Sequence, residues 1–209
     1  MNKPQVLIGS HNLSKVEYYK KILGSTGARI ISLSEIPDPP IVEEDLFDII
    51  GNSTKKALVY ARSTGHITLS DDTGIFIPAL NNEPGVAVRR WAGKLPASTT
   101  DDEWLAFLRQ RIMATGLKNP QCQKRQVVTI AKPDGEYRIF EHTLAGVIIL
   151  RDLAGMSFRG GPFSYVFFLP QYGKFESDLS EDEFYDHHET LRLSVITYVS
   201  SLFLSKKLD

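Results

Sequence analysis

The sequence predicts a mixed α/β protein with two lobes, on three observations. Its first third alternates strand, helix, strand, helix and strand. Its middle carries a strong hairpin signal. Its last stretch is a single helix with apolar residues at helical spacing. A chain of 209 residues fits one large domain or two lobes around a cleft.

Each element has a local cause. Gln5-Val6-Leu7-Ile8-Gly9 is a short apolar run ending in glycine and reads as a buried strand. Val16, Tyr19, Ile22 and Leu23 then recur at helical spacing, and Asn12 or Ser14 caps that helix. Gly27 ends it, and Arg29 to Leu33 reads as a second strand. Pro37-Asp38-Pro39-Pro40 is a stiff connector. Phe47 to Thr64 predicts a helix with Ile50, Ala57, Leu58 and Ala61 inward, stopped by Gly65. His66 to Leu69 is a third strand, which reaches a turn at Asp71-Asp72-Thr73-Gly74 before Ile75-Phe76-Ile77 leaves. Pro96 to Asp102 predicts a loop and a cap for a helix from Trp104 to Met113. Two apolar runs, Val127–Ala131 and Tyr137–Glu141, flank Lys132-Pro133-Asp134-Gly135 as a hairpin. Thr143 to Leu150 reads as a further strand, broken at Gly146. Leu191, Val195, Val199 and Leu202 mark the C-terminal helix. No repeat, low-complexity tract or linker interrupts the chain, so residues 1–209 are expected to form one domain with two lobes.

The chemistry concentrates at Asp71 and Asp72. Adjacent carboxylates at a strand-to-turn junction repel and need compensation. A divalent cation supplies it, and Mg²⁺ prefers one or two carboxylates together with substrate phosphates. Asp-Asp-Thr-Gly is equally good turn chemistry, and alone it reads as a turn. Three other features change the balance. The Gly9–Lys15 stretch turns a strand into a helix N-terminus, where free N–H groups attract anions, and Lys15 adds a full positive charge. Glu43, Glu44 and Asp45 form a second acidic group. Asn52 and Lys56 lie four apart and share one helix face. The bland alternatives are a capped surface helix and solvated lysines.

Composition narrows the function classes. Hydrophobic residues make up 42% and charged residues 23%, enough for a sizeable core. The formal net charge of -1 argues against a protein that coats nucleic acid. The apolar run near the N-terminus is too short for a signal peptide, and no stretch has the length of a membrane span. With one cysteine, Cys122, no internal disulfide forms, which is compatible with a reducing compartment. A soluble, cytoplasmic protein is expected, with no nucleic-acid or membrane partner.

Taken in order, these pieces resemble the inosine triphosphate pyrophosphatase family. Ser10-x-Asn12-x-x-Lys15 is similar to its N-terminal phosphate loop. Glu44, Asn52 and Lys56 match its Glu…Asn-x-x-x-Lys spacing, and Ser70-Asp71-Asp72-Thr73-Gly74 is similar to its paired-acid core. Pro84-Gly85 with Arg90-Trp91-Ala92-Gly93 resembles the segment that follows, and Gly173-Lys174 through Leu179 a later one. The first four motifs are fairly specific in combination. The resemblance implies an elongated, twisted mixed sheet with flanking helices and two lobes around a central cleft. It also implies a Mg²⁺-dependent homodimer that cleaves aberrant purine nucleoside triphosphates (ITP, dITP and XTP) to monophosphate and pyrophosphate. Asp72, supported by Asp71, would be catalytic and orient or deprotonate water; Glu44 and Asp72 would hold the metal. Ser10, Asn12, Lys15, Lys56, Thr73 and Arg90 would bind substrate. The C-terminal half departs from the family pattern. The Asp-Pro pair after Tyr165 is absent, and Asp186-His187-His188-Glu189 replaces a Ser-His-Arg motif. Phe163, Tyr165, His187 and His188 are the remaining candidates for the base. A pyrophosphatase retuned to another nucleotide, or a nucleotide-binding protein without turnover, are the competing readings.

Overall fold

The computed structural model of the chain describes residues 4–96, 98–153, 156–158 and 160–204. In chain order the elements are β1 (Gln5–Ile8), α1 (Leu13–Leu23), β2 (Arg29–Ser32), α2 (Ile49–Thr64), β3 (Ile67–Ile77), β4 (Glu83–Gly85) and α3 (Asp101–Ala114). There follow β5 (Gln121–Ala131), β6 (Tyr137–Ile148), β7 (Phe167–Leu169), β8 (Lys174–Phe175), α4 (Glu181–His187) and α5 (Glu189–Leu204). One eight-stranded mixed sheet runs β2-β1-β3-β5-β6-β7-β8, with β4 paired to β3. β1 pairs in parallel with β2 and β3; β4, β7 and β8 pair antiparallel. The opening βαβαβ order of the sequence reading is therefore present.

Local signals explain the first elements. Val6, Leu7 and Ile8 are fully buried, as expected for a strand with parallel neighbours on both sides. Asn12 caps α1, and Val16, Tyr19, Ile22 and Leu23 form its buried face. Gly65 ends α2 in the left-handed region at φ 71°, where a missing Cβ removes the strain; α1 ends at Leu23, before the expected Gly27, which closes the short 3-10 turn Gly24–Thr26 at φ 78°. Thr100 and Glu103 form a reciprocal capping box that starts α3.

Three expectations need correction. The chain does not turn at Asp71-Asp72-Thr73-Gly74: β3 runs unbroken from Ile67 to Ile77. Turn propensity is a local preference, and here membership of a sheet strand overrides it: β3 pairs with β1 at Ile67–Leu69, with β4 at Ile75–Ile77, and with β5. Gly146 does not break a strand, since β6 continues through it. A Cβ there would lie 2.6 Å from both the Phe167 ring and the Phe168 carbonyl, so the glycine admits β7. Finally, α2 begins after its cap Asp48, and Ile50 is 37% exposed rather than inward. The buried face is Ile49, Asn52, Ser53, Lys56, Ala57, Tyr60 and Ala61; it is half polar, which hides it from an apolar-periodicity reading.

The described residues fall into two compact units. The first draws on Met1–Asp72, Gln126–His142 and His188–Asp209, the second on Thr73–Arg125 and Thr143–His187. In the first unit, Leu7, Ile31, Leu33 and Tyr60 form one apolar cluster, and Ala57, Ala61 and Ala131 another. The second unit has a larger core that includes Trp91, Trp104, Leu108, Ile148, Phe163 and Phe167.

Candidate active site

The first unit gathers the acids and lysines singled out in the sequence. At the β1–α1 turn, Gly9 N–H donates to the Leu69 carbonyl (2.7 Å) and Ser70 Oγ donates to the Gly9 carbonyl (3.1 Å). A Cβ on Gly9 would lie 2.4 Å from Ser70 Oγ and 2.8 Å from the Tyr60 ring, so only glycine lets this turn close on β3. The Asn12 side chain accepts from the N–H groups of Ser14 (3.0 Å) and Lys15 (3.3 Å). Asn12 N–H donates to Ser10 Oγ at 3.2 Å. These bonds fix the first turn of α1 and with it the origin of the Lys15 side chain.

Because β3 is continuous, successive side chains point to opposite faces of the sheet. Asp71 and Asp72 therefore diverge, where a turn would have set them side by side. Both are buried, at 1% and 7% exposure. Asp71 faces α1, with Lys15 Nζ 3.1 Å from its Oδ2. Its Oδ1 is buried and makes no hydrogen bond to the described residues. Burial pulls the Lys15 pKa down, but the charges of Asp71, Asp72 and Glu44 outweigh it, and the net shift is upward. One helical turn further along α1, Tyr19 is 1% exposed, and Gln126 Nε2 donates to its hydroxyl at 3.2 Å. Burial first, then the Asp71 charge, holds the Tyr19 phenol well above its usual pKa.

The opposite face of β3 belongs to α2. Tyr60 of this helix packs where Thr68 and Ser70 point, and Ser53 Oγ donates to the Ser70 carbonyl at 3.1 Å. Asp72 has the same strand parity as Thr68 and Ser70 and shares their face. Lys56, with only 10% of its side chain exposed, donates to the Asp71 carbonyl (2.7 Å) and pairs with the Glu44 carboxylate. Asn52 exchanges two 3.1 Å hydrogen bonds with the backbone of Leu46, which pins the loop that carries Glu44. Lys55 pairs with Asp45 at 2.7 Å on the same loop. Burial and the nearby Glu44 charge raise the Tyr60 phenol. Among the described residues no three His, Cys, Asp or Glu side chains converge as a ready-made metal cage.

The remaining candidates are spread over both units. In the second unit, Thr73 continues β3, and exposed Arg90 precedes a short turn in which Trp91 and Ala92 adopt φ of 45° and 53°. Glu83 holds that turn: it accepts from the Trp91 indole at 2.8 Å and from Arg111 at 3.0 Å, and it pairs with Lys94. Phe163 is 8% exposed and stacks on Phe167 at 5.1 Å, which makes it a core residue of this unit. Tyr165 sits edge-on to Phe158 at 5.0 Å, and its carbonyl accepts from Arg151 at 2.7 Å. His187 lies edge-on to Tyr172 at 5.4 Å. In the first unit, His188 is 3% exposed and edge-on to His142 at 5.9 Å. Sequence reasoning missed Tyr19, Gln126 and Ser53. The spacing of Lys15 and Tyr19, one helical turn, was the available signal for the first; the others depend on contacts distant in sequence.

A β–α turn closed by glycine, a central strand with two buried acids, and a lysine brought to that strand from each flanking helix define an α/β protein with a paired-acid, paired-lysine site. The chain belongs to the Ham1 family, whose model matches residues 6–188. It is 32% identical over 185 residues to the dITP/XTP pyrophosphatase of Desulforamulus reducens, covering 86% of each chain. It is 33% identical over 159 residues to the dITP/XTP pyrophosphatase of Ruegeria pomeroyi, covering 73% of this chain and 76% of that one. In fold it resembles a HAM1 protein from Coxiella burnetii, with a TM-score of 0.78 at 23% identity over 97% of this chain and 99% of that one.

Proposed function

We propose that the protein hydrolyses dITP, ITP and XTP to the nucleoside monophosphate and pyrophosphate. The observation that carries this reading is the buried pair Asp71 and Asp72 on one strand, with Lys15 and Lys56 drawn to it from opposite faces. It is supported by the chain's likeness to dITP/XTP pyrophosphatases over most of its length. Phosphoryl chemistry needs little covalent help from protein; it needs position and positive charge. Lys15 and Lys56 supply that charge to the triphosphate, and the Asn12-capped turn offers N–H groups from the start of α1. Asp72 orients a water or takes its proton as oxygen adds to the α-phosphorus and pyrophosphate departs. Ser10, Thr73 and Arg90 complete the substrate contacts. Phe163, Tyr165, His187 and His188 are assigned to the base side, Phe163 only through its exposed edge.

Mg²⁺ fits the donors present. It takes hard oxygen ligands and is usually held by one or two carboxylates plus substrate phosphates. Glu44 keeps 47% of its side chain exposed, and Asp71 Oδ1 has no hydrogen-bond donor among the described residues. Glu44 and Asp72 would hold the ion, with Asp71 in support and phosphate oxygens and water completing the shell. When bound, the ion neutralises phosphate charge and polarises the scissile phosphoryl group. We assign the protein to the cytoplasm on its lone, buried Cys122, and to a homodimer on the exposure of Leu13, Ile41 and Phe47. No described helix is long and apolar enough to cross a membrane.

The test is a panel of nucleoside triphosphates assayed for pyrophosphate release with and without Mg²⁺, alongside light scattering for mass. Pyrophosphate from dITP and XTP well ahead of ATP and GTP is expected. Release from none of them refutes the reading.

A further inference from the structure

Six described residues other than glycine have a positive φ, and four of them are Asn or Asp, which tolerate it. The other two, Trp91 and Ala92, stand side by side in the turn after Arg90, at φ 45° and 53°. Such backbone persists only where its surroundings force it, and it collects at ligand clamps. Here Glu83 supplies the force. One carboxylate oxygen accepts from the Trp91 indole at 2.8 Å and from Arg111 at 3.0 Å, and the other pairs with Lys94. The Trp91 ring is fully buried, against Trp104 at 5.3 Å and edge-on to Phe107 at 5.1 Å. The Arg90 carbonyl accepts from the N–H groups of Gly93 (2.9 Å) and Leu95 (3.0 Å), which fixes the backbone from which the Arg90 side chain starts. The neighbouring cations are committed to the protein. Lys94 and Arg111 belong to Glu83, and Arg89 pairs with Asp101 and donates to the Thr99 carbonyl at 2.6 Å. Arg90 differs: it is exposed and makes no ion pair with any described residue. A planar guanidinium on fixed backbone, with no anion of its own, suits phosphate oxygens.

We propose that Glu83 is a positioning residue: its grip on Trp91, Lys94 and Arg111 holds the strained turn that presents the Arg90 guanidinium to the phosphates of the substrate. Glu83 itself touches no substrate, since its carboxylate and a phosphate repel. It also neutralises Lys94 and Arg111, which leaves Arg90 as the uncommitted cation of this turn. That the phosphates belong to a nucleotide being cleaved rests on the proposed pyrophosphatase reading; the coupling of Glu83 to Arg90 does not.

The experiment is a double-mutant cycle of Glu83→Ala and Arg90→Ala, read by titration calorimetry with inorganic tripolyphosphate in the presence of Mg²⁺ and with orthophosphate as the control. Either change alone should weaken tripolyphosphate binding about tenfold, the size of one charge-assisted hydrogen bond, and orthophosphate binding by no more than about twofold. In the Arg90→Ala background, Glu83→Ala should cost no more than about a further twofold, because residues that act through one another are not additive. Should Glu83→Ala not fold, Glu83→Gln carries the same cycle with a loss of about threefold, since it keeps an acceptor for the Trp91 indole. A merely structural role for Glu83 would weaken both ligands alike and add to Arg90→Ala; either result overturns the proposal, as does a wild-type protein that binds no tripolyphosphate. A wild-type protein that binds tripolyphosphate but releases no pyrophosphate from dITP, ITP or XTP would instead refute the pyrophosphatase reading, and the same titrations would still decide the coupling.

Discussion

Lys56→Met removes an ammonium and keeps most of an aliphatic stem, so its effects can be worked from two contacts. Lys56 Nζ donates to the Asp71 carbonyl at 2.7 Å in the interior. Without it a buried acceptor is left unsatisfied, at a cost of about 1–3 kcal/mol. The pair with Glu44 counts for less. That carboxylate has 47% of its side chain exposed, water replaces the lysine there, and the contribution is about 0–1 kcal/mol. Relief of the ammonium's own desolvation offsets part of the loss. A net destabilisation of about 2 kcal/mol remains, which for a chain of this size lowers Tm by roughly 4–8 °C. Differential scanning calorimetry measures it. Lys56→Met should also weaken triphosphate binding more than monophosphate binding by titration calorimetry, since the proposed role of the ammonium is to face the added phosphates. A Tm within about 1 °C of wild type would refute the interior contact. Equal weakening for both ligands would refute the phosphate role.

Two further outcomes test the electrostatics. Cys122 is 1% exposed, and burial pushes its thiol up to about 12, so the folded protein should not react with a thiol reagent at pH 8; rapid labelling without denaturant would contradict the burial. Glu183 is held down to about 2 by Lys174, at 2.7 Å, and by the Ser180 N–H, at 2.8 Å. Its folded pKa lies below its unfolded value, so its stabilisation is complete above about pH 4.5 and disappears as pH falls toward about 2. Glu183→Gln should be less stable than wild type at neutral pH and indistinguishable from it near the lower limit; a gap that persists there would refute the pairing.

How much of this was legible depended on whether the cause was local. Asn12 and Gly65 act within a few residues of themselves, and the start of α1 and the end of α2 follow from them; α1 ends at Leu23, and Gly27 instead closes the short 3-10 turn after it. The sequence pairs the β3 acids correctly but implies the wrong arrangement for them. Asp-Asp-Thr-Gly favours a turn locally, whereas the sheet pairing of β3 carries the strand straight through it and sends the carboxylates to opposite faces. Apolar periodicity points Ile50 inward because it cannot see a face built of Asn52, Ser53 and Lys56, residues buried for their polar contacts. Gly146 looked like a break because its reason, the ring of Phe167, lies 21 positions later in the chain. Tyr19 and Gln126 are 107 positions apart, and nothing in either neighbourhood announces the other.

The central claim is that the Asp71–Asp72 strand directs hydrolysis between the α- and β-phosphates. Phosphorus NMR of dITP turnover by wild type and by Asp72→Asn tests it most directly. The account predicts equal amounts of dIMP and pyrophosphate from wild type, with no orthophosphate. It predicts a folded Asp72→Asn protein, unchanged in Tm, that is slower by about 10²-fold or more. Orthophosphate as the first product, or wild-type turnover by the folded variant, would contradict it.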